Sequence, residues 1–374
     1  MELHEELLSD AEAAEHADHG GTLRLIAATG ARIRRAAALR EFDPQADQAL
    51  RDLAAEGRPR ALIVLGYGTG ATVARLLTSV AGAAATVPIV PVPGPALPGW
   101  VGPLDMVVVA STAGRAPEIA AALGEAGRRG CRVVAAAPPS SAIGSLCKQV
   151  RGTLIAMADD VAPVWSRLWS VAVPTLIAAE AAGVIPPQRY DAAASAADEA
   201  AIRCRPSQEP FVNPAKEIAL RLAESVPAVW ASGQVAAVAA ERLADQSALR
   251  AGIPVIHAAL PDLGRGQLGL VDGPLAAGTD DLFRDPFEDG ANKSAGVVLF
   301  AEDGADPRLG VVEALVRDRG IALSAVTAEQ SDPLARAAYL IAVADFAASY
   351  LALITGIGPD QGHTIEEYRL RTAQ

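Results

Sequence analysis

The sequence predicts an α/β protein with two doubly wound parallel sheets and a buried C-terminal helix. Short segments rich in valine and isoleucine alternate with amphipathic helical segments, and this alternation occurs twice along the chain. Strands without polar alternation are typical of parallel sheets that helices cover on both faces. A chain of 374 residues, of which 51% are hydrophobic and 20% charged, is also long enough for two domains.

The first half contains four predicted strands with helices between them. The strands are predicted at residues 62–68, 87–94, 104–111 and 131–138. The segments TVARLLTSVAG and APEIAAALGEAGRRG have helical periodicity and connect them. A long alanine-rich helix, WSRLWSVAVPTLIAAEAAGV, is predicted to end this half. We assign a first domain to residues 21–185, preceded by an acidic N-terminal segment at residues 1–20.

The second half repeats the alternation after a polar segment. Residues 186–210 contain four prolines and are predicted to form a helical connector. The second domain is assigned to residues 211–374, with strands predicted at 227–233, 253–262, 295–303 and 321–326. Its last helix, DPLARAAYLIAVADFAASYLALITG, is apolar on nearly all sides. Such a helix must be buried, either in the core or at a domain or subunit interface.

Charge and composition argue against several classes of partner. The net charge is −12 and the chain has only three lysines, so we expect no nucleic-acid partner. The N-terminal residues are acidic rather than signal-like, and no uninterrupted apolar run of about twenty residues occurs, so we expect a cytoplasmic protein without a membrane partner. The cysteines Cys131, Cys147 and Cys204 lack CxxC spacing, so neither a metal site nor a disulfide framework is expected.

The first predicted strand leads into the glycine-rich turn GYGTGAT, residues 66–72. Backbone N–H groups and the helix dipole make a strand-to-helix turn of this kind suitable for an anion. The dinucleotide fingerprint GxGxxG is not complete, because Ala71 stands where the third glycine belongs, and no acidic residue is placed for a ribose. A nucleotide-cofactor enzyme is therefore the least favoured class, and we expect no cofactor.

A second small-residue turn follows the third predicted strand. The segment STAGRAPEI, residues 111–119, again leads from a strand into a helix. Two such turns at the carboxyl edge of one parallel sheet favour a phosphate pocket over a dinucleotide crevice. This is the arrangement of a sugar isomerase (SIS) domain.

On these loops the chain resembles the SIS family of bifunctional phosphoglucose/phosphomannose isomerases, and within it the divergent TobH-type proteins. Residues 66–72 match the family loop of the type GMGGSAIGG, with Gly70 where the family has serine. Residues 110–119 match the loop of the type SSYSGNTEET, with most of its hydroxyls missing. The similarity extends over nearly the whole length from about residue 20. It implies two SIS domains, each with a Rossmann-like, flavodoxin-like sheet.

Two further segments carry the resemblance. The segment FVNPAKEIALRLAESVPAVWAS, residues 211–232, resembles the family's beginning of the second SIS domain. Asn213 there also fits a plain helix cap, with no chemistry implied. The segment LIAVADFAASYLALITGIGPD resembles the family's final interfacial helix. The resemblance therefore implies a homodimer through the C-terminal helix, with Phe346, Tyr350 and Leu351 in the interface.

The resemblance also implies a phosphate site in the first domain. Its expected residues supply backbone N–H groups, hydroxyls or charge, and they are Gly66, Gly68, Thr69, Thr72, Ser111, Thr112, Gly114 and Arg115. The guanidinium of Arg115 would replace by charge what Ala113 and Ala116 have lost. The expected ligand is a sugar phosphate.

The family chemistry converts glucose 6-phosphate or mannose 6-phosphate to fructose 6-phosphate by aldose-ketose isomerisation. By resemblance Arg167 would stabilise the enediolate, although it also fits a helix-surface arginine. The position of the catalytic base holds Leu249, and the ring-opening position holds Arg265, neither of which accepts a proton. We expect a protein of isomerase type whose catalysis is weak or lost, a pseudoenzyme. The alternative is a non-catalytic sugar-phosphate sensor or partner protein in mannose metabolism.

Three residues of this chain, or a residue of the second subunit, are candidates to replace the missing base. Asp245 and Asp262 are near the degenerate positions in sequence only. His257 lies in a predicted strand, and we interpret it as a near-core histidine rather than as a general base. Whether the protein is an enzyme is therefore left open by the sequence.

Overall fold

The computed structural model describes residues 3–157, 163–276, 294–304, 306–357 and 363–372. The chain divides into two compact units. The first unit consists of residues 28–195, and the second unit combines residues 1–27 with residues 196–374. The N-terminal segment thus groups with the second unit, whereas the assignment of SIS domains to residues 21–185 and 211–374 stays a prediction.

The strands belong to two separate sheets. They are β1 (Leu62–Leu65), β2 (Ile89–Val92), β3 (Met106–Ala110), β4 (Arg132–Ala137), β5 (Thr153–Ala156), β6 (Val226–Ser232), β7 (Ile256–Ala259), β8 (Ala295–Glu302) and β9 (Ala322–Ala328). The first unit has the order β2-β1-β3-β4-β5 and the second unit the order β7-β6-β8-β9. All neighbouring strands pair in parallel. The predicted pair of doubly wound parallel sheets is confirmed.

The α-helices alternate with these strands. They are α1 (Glu6–Ser9), α2 (Ala11–Ala17), α3 (Thr22–Ala27), α4 (Thr29–Ala37), α5 (Leu39–Phe42), α6 (Pro44–Ala55), α7 (Thr69–Ala81), α8 (Pro117–Arg128), α9 (Ala142–Gln149), α10 (Leu168–Ala181), α11 (Tyr190–Arg203), α12 (Pro214–Glu224), α13 (Gln234–Ala251), α14 (Leu309–Asp318), α15 (Pro333–Ile354) and α16 (His363–Thr372).

The core of the first unit lies on both faces of its sheet. The residues of β1 are all buried, as are those of β3, because valine, isoleucine and leucine side chains point to covered faces on either side. Strand β5 was not predicted from the sequence. It is a short edge strand of four residues, and it follows Gly152, where a Cβ atom would lie 2.9 Å from Cys147 Sγ.

Helix α11, within the predicted connector at residues 186–210, has a buried face. Its alanines at positions 193, 194, 197 and 200 are each at most 1% exposed, while Asp191 and Ile202 are exposed. Residues 186–210 thus contain a helix, and their role as a connector stays a prediction. Small alanine side chains allow close packing on one face even in a segment of polar composition.

The C-terminal helix α15 is buried within the single chain. It packs mainly against α12 and α13 and also contacts α1 and α3. By length and composition it could cross a membrane, but 89% of its most apolar window is buried, as in the core helix of a soluble protein. Its predicted burial is confirmed.

Because α15 is buried within one chain, its apolar side chains do not need a second subunit to cover them. Phe346, Tyr350 and Leu351 are at most 1% exposed without any second subunit. Helices α1 and α3 of the N-terminal segment pack against α15, and the Tyr350 hydroxyl donates to the Cys204 carbonyl oxygen at 2.7 Å. The apolar character of these three residues therefore gives no reason to expect a dimer interface there.

Lys216 fastens the N-terminal segment to the second unit. The side chain is 1% exposed, and its Nζ donates hydrogen bonds to the carbonyl oxygens of Leu8, Pro206 and Gln208 at 2.6, 2.6 and 2.8 Å. The ammonium also lies 5.6 Å from the ring centroid of Tyr350. A buried cation is stable here because three carbonyl dipoles surround it.

Candidate functional site

Two loops of the first unit meet at the carboxyl edge of its sheet. The first loop, residues 66–70, follows β1 and includes the first two residues of α7, and the second loop, residues 111–116, follows β3. Strands β1 and β3 are direct neighbours, with Leu65 paired to Val109, so the two loops leave the sheet side by side. Ligands of doubly wound sheets bind at this edge, where the strand order reverses.

Close backbone approach explains the glycines of the first loop. A Cβ atom at Gly66 would lie 2.5 Å from the carbonyl carbon of Gly70, and a Cβ at Gly70 would lie 2.3 Å from the carbonyl oxygen of Ala110. Gly68 has a φ of 49°, a conformation that favours glycine. Helix α7 thus lies so close to the end of β3 that the serine of the resembling family loop has no room at position 70.

The second loop is held by contacts to the segment that follows β4. Ser111 Oγ accepts a hydrogen bond from the Gly114 N–H at 3.0 Å, and the Gly114 carbonyl accepts one from the Ile143 N–H at 3.1 Å. A Cβ atom at Gly114 would lie 2.1 Å from Ser141 Oγ, so glycine is required there too. These contacts fix the loop before any ligand binds.

The predicted phosphate hydroxyls differ in accessibility. Thr72 is 3% exposed, and its hydroxyl donates to the Gly68 carbonyl at 3.3 Å. Thr112 is 6% exposed, whereas Ser111 and Thr69 are half-buried. Ser111 and Thr69 are therefore better placed than Thr72 and Thr112 to donate to a bound anion.

Two arginines accompany the second loop. Arg115 belongs to the loop and is exposed, without an ion pair among the residues that the structure describes. Arg167 lies at the end of a short 3-10 helix, Val164–Arg167, and its Nη1 is 3.5 Å from the Thr112 carbonyl oxygen. The structure thus brings the predicted enediolate-stabilising residue to the predicted phosphate loop.

The helices that follow the two loops begin without side-chain caps. Neither Gly68, before α7, nor Ala116, before α8, caps its helix with a side chain. By contrast, Ser141 Oγ accepts from the Gly144 N–H at the start of α9. The first N–H groups of a helix carry partial positive charge, so both N-termini offer donors to an anion, with the acidic Glu118 in the first turn of α8.

Two residues of this region were given no role in the sequence analysis. Tyr67 in the first loop is 40% exposed, and a Cβ atom at Gly94 would lie 3.4 Å from its hydroxyl oxygen. Glu118 lies in the first turn of α8. Partial burial, and then the negative charge of Glu118, raise the pKa of the Tyr67 hydroxyl above its ordinary value. The only sequence signal for Tyr67 is its place inside the glycine turn.

The degenerate acid-base positions lie in the second unit and carry no base. Leu249, on α13, is 40% exposed. Arg265 is exposed at the end of a 3-10 helix, Asp262–Arg265. The candidate replacements Asp245 and Asp262 are also exposed. Within the described ranges, no group of three or more His, Cys, Asp or Glu side chains could hold a metal ion.

The interpretation of His257 as a near-core histidine is wrong. The residue is exposed, because β7 is the edge strand of the second sheet. Its carbonyl oxygen accepts a hydrogen bond from Gln267 Nε2 at 2.7 Å. Gln267 also lines a cavity of about 450 Å³, together with Ile256, Leu270 and Leu275. Among the residues that the structure describes, no titratable side chain lines this cavity.

A family comparison identifies part of the chain. Residues 211–371 match the model of the bacterial phospho-glucose isomerase C-terminal SIS domain. This part of the sequence therefore carries a SIS domain, in agreement with the sequence-based resemblance. A comparison with curated proteins gives no match.

Solved structures share the fold over nearly the full length. A protein named as a putative phosphosugar isomerase from Silicibacter pomeroyi has a TM-score of 0.63 at 15% identity, over 91% of this chain and 99% of its own. A hypothetical protein from Thermus thermophilus has a TM-score of 0.65 at 14% identity, over 99% and 96%. The C-terminal domain of glucosamine-fructose-6-phosphate aminotransferase from Francisella tularensis has a TM-score of 0.60 at 14% identity, over 90% and 96%.

These comparisons define the class of fold. The chain has two parallel-sheet α/β units, the solved structures named above share this fold, and the predicted fold class is confirmed. The family match supports a SIS domain over residues 211–371, and the solved structures, at 14–15% identity, show the fold alone. Membership of the bifunctional phosphoglucose/phosphomannose group, and of its TobH-type branch, stays a prediction.

Proposed function

We propose that the protein binds a sugar 6-phosphate at the two loops of the first unit. The observation that carries this proposal is the pair of uncapped helix N-termini, α7 and α8, with Arg115 and Arg167 at the second loop. A phosphate dianion would gain backbone N–H donors and two guanidinium groups there. Hydroxyls of Ser111 and Thr69 are half-exposed at the same edge and can add hydrogen bonds.

The reaction type we propose is that of the phosphoglucose/phosphomannose isomerases, at a much reduced rate. Isomerisation needs a base within about 3 Å of the C1 and C2 positions of the sugar. Leu249 has no basic atom, and the guanidinium of Arg265 offers hydrogen-bond donors and no acceptor. The loss of the base and of the ring-opening group together should slow turnover at least about a thousand-fold. Arg167 would retain the role of stabilising enediolate charge.

A non-catalytic role is the second candidate. It is favoured by the same two positions, since a site that holds a sugar phosphate without a base can report its concentration. On this reading the protein is a sugar-phosphate sensor or a partner protein in mannose metabolism, acting in the cytoplasm. Turnover separates the two candidates, whereas binding is common to both.

The binding part of the proposal is tested by calorimetric titration with glucose, mannose and fructose 6-phosphates. We expect the Arg115→Ala variant to lose binding, because Arg115 supplies charge that the missing hydroxyls do not. Arg128→Ala is the matched control, since Arg128 lies at the other end of α8 and pairs with Glu125. Equal affinities in the wild type and the Arg115→Ala variant would place the ligand elsewhere.

The catalytic part is tested by following fructose 6-phosphate formation from glucose 6-phosphate and mannose 6-phosphate. We expect rates at least about a thousand times below those of a working isomerase of this type. The Arg167→Ala variant, purified in the same way, controls for a contaminating isomerase. A rate of tens per second that disappears in this variant would contradict the loss of catalysis and assign a base to another residue.

The expected homodimer through the C-terminal helix remains a prediction about assembly. Because Phe346, Tyr350 and Leu351 are covered within the chain, such a dimer has to use other residues of the second unit. Light scattering at micromolar concentration measures the oligomeric state directly. A monomeric mass would contradict the prediction.

A further inference from the structure

The second unit repeats the strand-turn-helix arrangement of the first loop, but a side chain of the protein occupies the turn between its strand and its helix. Strand β6 is followed by Gly233 and then by α13. The N–H groups of Val235 and Ala236, in the first turn of α13, both donate to Glu302 Oε1, at 2.8 and 3.2 Å. A carboxylate of the chain thus occupies the helix N-terminus, which is the position that suits an external oxyanion.

Two further contacts hold this carboxylate. Gly233 has a φ of 111°, and a Cβ atom there would lie 2.1 Å from Glu302 Oε1, so the carboxylate takes the space of a side chain. Arg336, in the first turn of α15, places Nη1 3.5 Å from Glu302 Oε2. The Glu302 side chain is only 11% exposed. Donors, charge and limited solvent access all favour the bound carboxylate.

The strand register identifies the residue of the first unit that corresponds to Glu302. Glu302 stands one residue beyond the β6–β8 pair of Ser232 and Ala301. In the first sheet, Ala110 stands one residue beyond the last β1–β3 pair. An alanine methyl group cannot accept a hydrogen bond from the first turn of α7. By strand register, the second unit thus has a glutamate where the first unit has an alanine, and its turn, Gly233 alone, is shorter than the turn at residues 66–68.

We propose that Glu302 is a built-in anion that closes the turn of the second unit to phosphate. An external oxyanion would have to displace the Glu302 carboxylate, which already has two N–H donors and an arginine. While the Glu302 carboxylate remains in place, its negative charge repels the oxyanion. The turn before α7 has no such carboxylate among the described residues, so only one of the two repeated turns accepts an external oxyanion. Removal of the Glu302 carboxylate opens the second turn to a small oxyanion such as sulfate.

The test is a sulfate titration of the full-length protein, followed by the backbone amide signals in two-dimensional NMR at constant ionic strength. In the Glu302→Ala variant, sulfate should shift the signals of Val235 and Ala236, and the shifts should saturate. In the wild type the same two signals should stay in place. Glu313→Ala is the matched control, because Glu313 is a carboxylate of the same unit that pairs with Arg317 on the surface of α14.

Two results would overturn the inference. One is a sulfate-dependent shift of Val235 and Ala236 in the wild type, and the other is a folded Glu302→Ala variant in which these signals do not respond. Glu302→Gln provides a second variant that keeps an oxygen acceptor. Since a neutral oxygen accepts more weakly, both amide proton signals should move upfield in it, and unchanged signals would also contradict the proposal. Signals of residues 69–72 report separately on the site proposed in the first unit.

Discussion

Replacement of Gly70 by alanine tests whether the close approach of α7 to β3 decides the sequence of the first loop. Gly70 lies in the first turn of a helix, where alanine is favoured over glycine by up to about 1 kcal/mol on propensity alone. The added Cβ atom would lie 2.3 Å from the Ala110 carbonyl oxygen, so the helix would have to move by about 1 Å to remove the overlap.

The two effects have opposite signs, and the overlap is the larger. Overpacking of a closely packed contact costs typically about 1–3 kcal/mol, so we expect the Gly70→Ala variant to be destabilised by about 1–2 kcal/mol. Gly124→Ala is the matched control. Gly124 lies inside α8, and a Cβ atom there would meet only Arg128 Nη1, at 3.7 Å. The control should therefore be stabilised by up to about 1 kcal/mol.

Urea unfolding followed by circular dichroism measures both variants against the wild type. At an unchanged slope, a shift of the midpoint reports a change of stability. The expected order of stability is the Gly124 variant, the wild type and then the Gly70 variant. A Gly70→Ala variant as stable as the wild type would refute the reasoning, because the turn would then have room for a side chain.

Two further predictions concern buried charges. Lys216→Met should destabilise the second unit by about 3–5 kcal/mol, because three carbonyl oxygens lose a charged donor. Limited proteolysis should then cut the N-terminal segment faster than in the wild type. An unchanged digestion pattern would contradict this prediction. Burial alone would raise the pKa of Asp105, but hydrogen bonds from Arg60 and the Gly102 N–H lower it below 3.8. The ionised Asp105 carboxylate therefore adds to the free energy of unfolding above pH 3.8, and this contribution is lost as the pH falls further. In the Asp105→Asn variant, the free energy of unfolding should fall less steeply with decreasing pH than in the wild type. An equally steep fall would argue against the prediction.

The fold was predictable because its signals are local and repeated. Parallel strands covered on both faces are continuous apolar segments, and eight of them were found at nearly the observed positions. Strand β5 was missed, whereas the equally short edge strands β2 and β7 were predicted. The burial of Phe346, Tyr350 and Leu351 was predicted, but a helix that is apolar on all sides does not reveal whether its own chain or a second subunit covers it.

The candidate site was predictable only in part. The glycines of the first loop indicate a tight turn, but the reason for Gly70 is its approach to Ala110, which is distant in the sequence. The contact of Arg167 with the Thr112 carbonyl likewise joins residues that only the fold brings together. Glu302 carries no sequence motif, and its role follows from the register of β6 and β8. Long-range contacts of this kind are set by topology rather than by local pattern.

The central claim is that the chain holds a phosphate group at the loops of the first unit. The most direct measurement is a calorimetric titration of the wild-type protein with glucose 6-phosphate and, separately, with glucose at the same concentrations. Because the two loops offer N–H groups and guanidinium groups to an anion, we predict saturable binding of glucose 6-phosphate and no binding of glucose. Equal heats for both ligands, or no binding of either glucose 6-phosphate or mannose 6-phosphate, would contradict the claim.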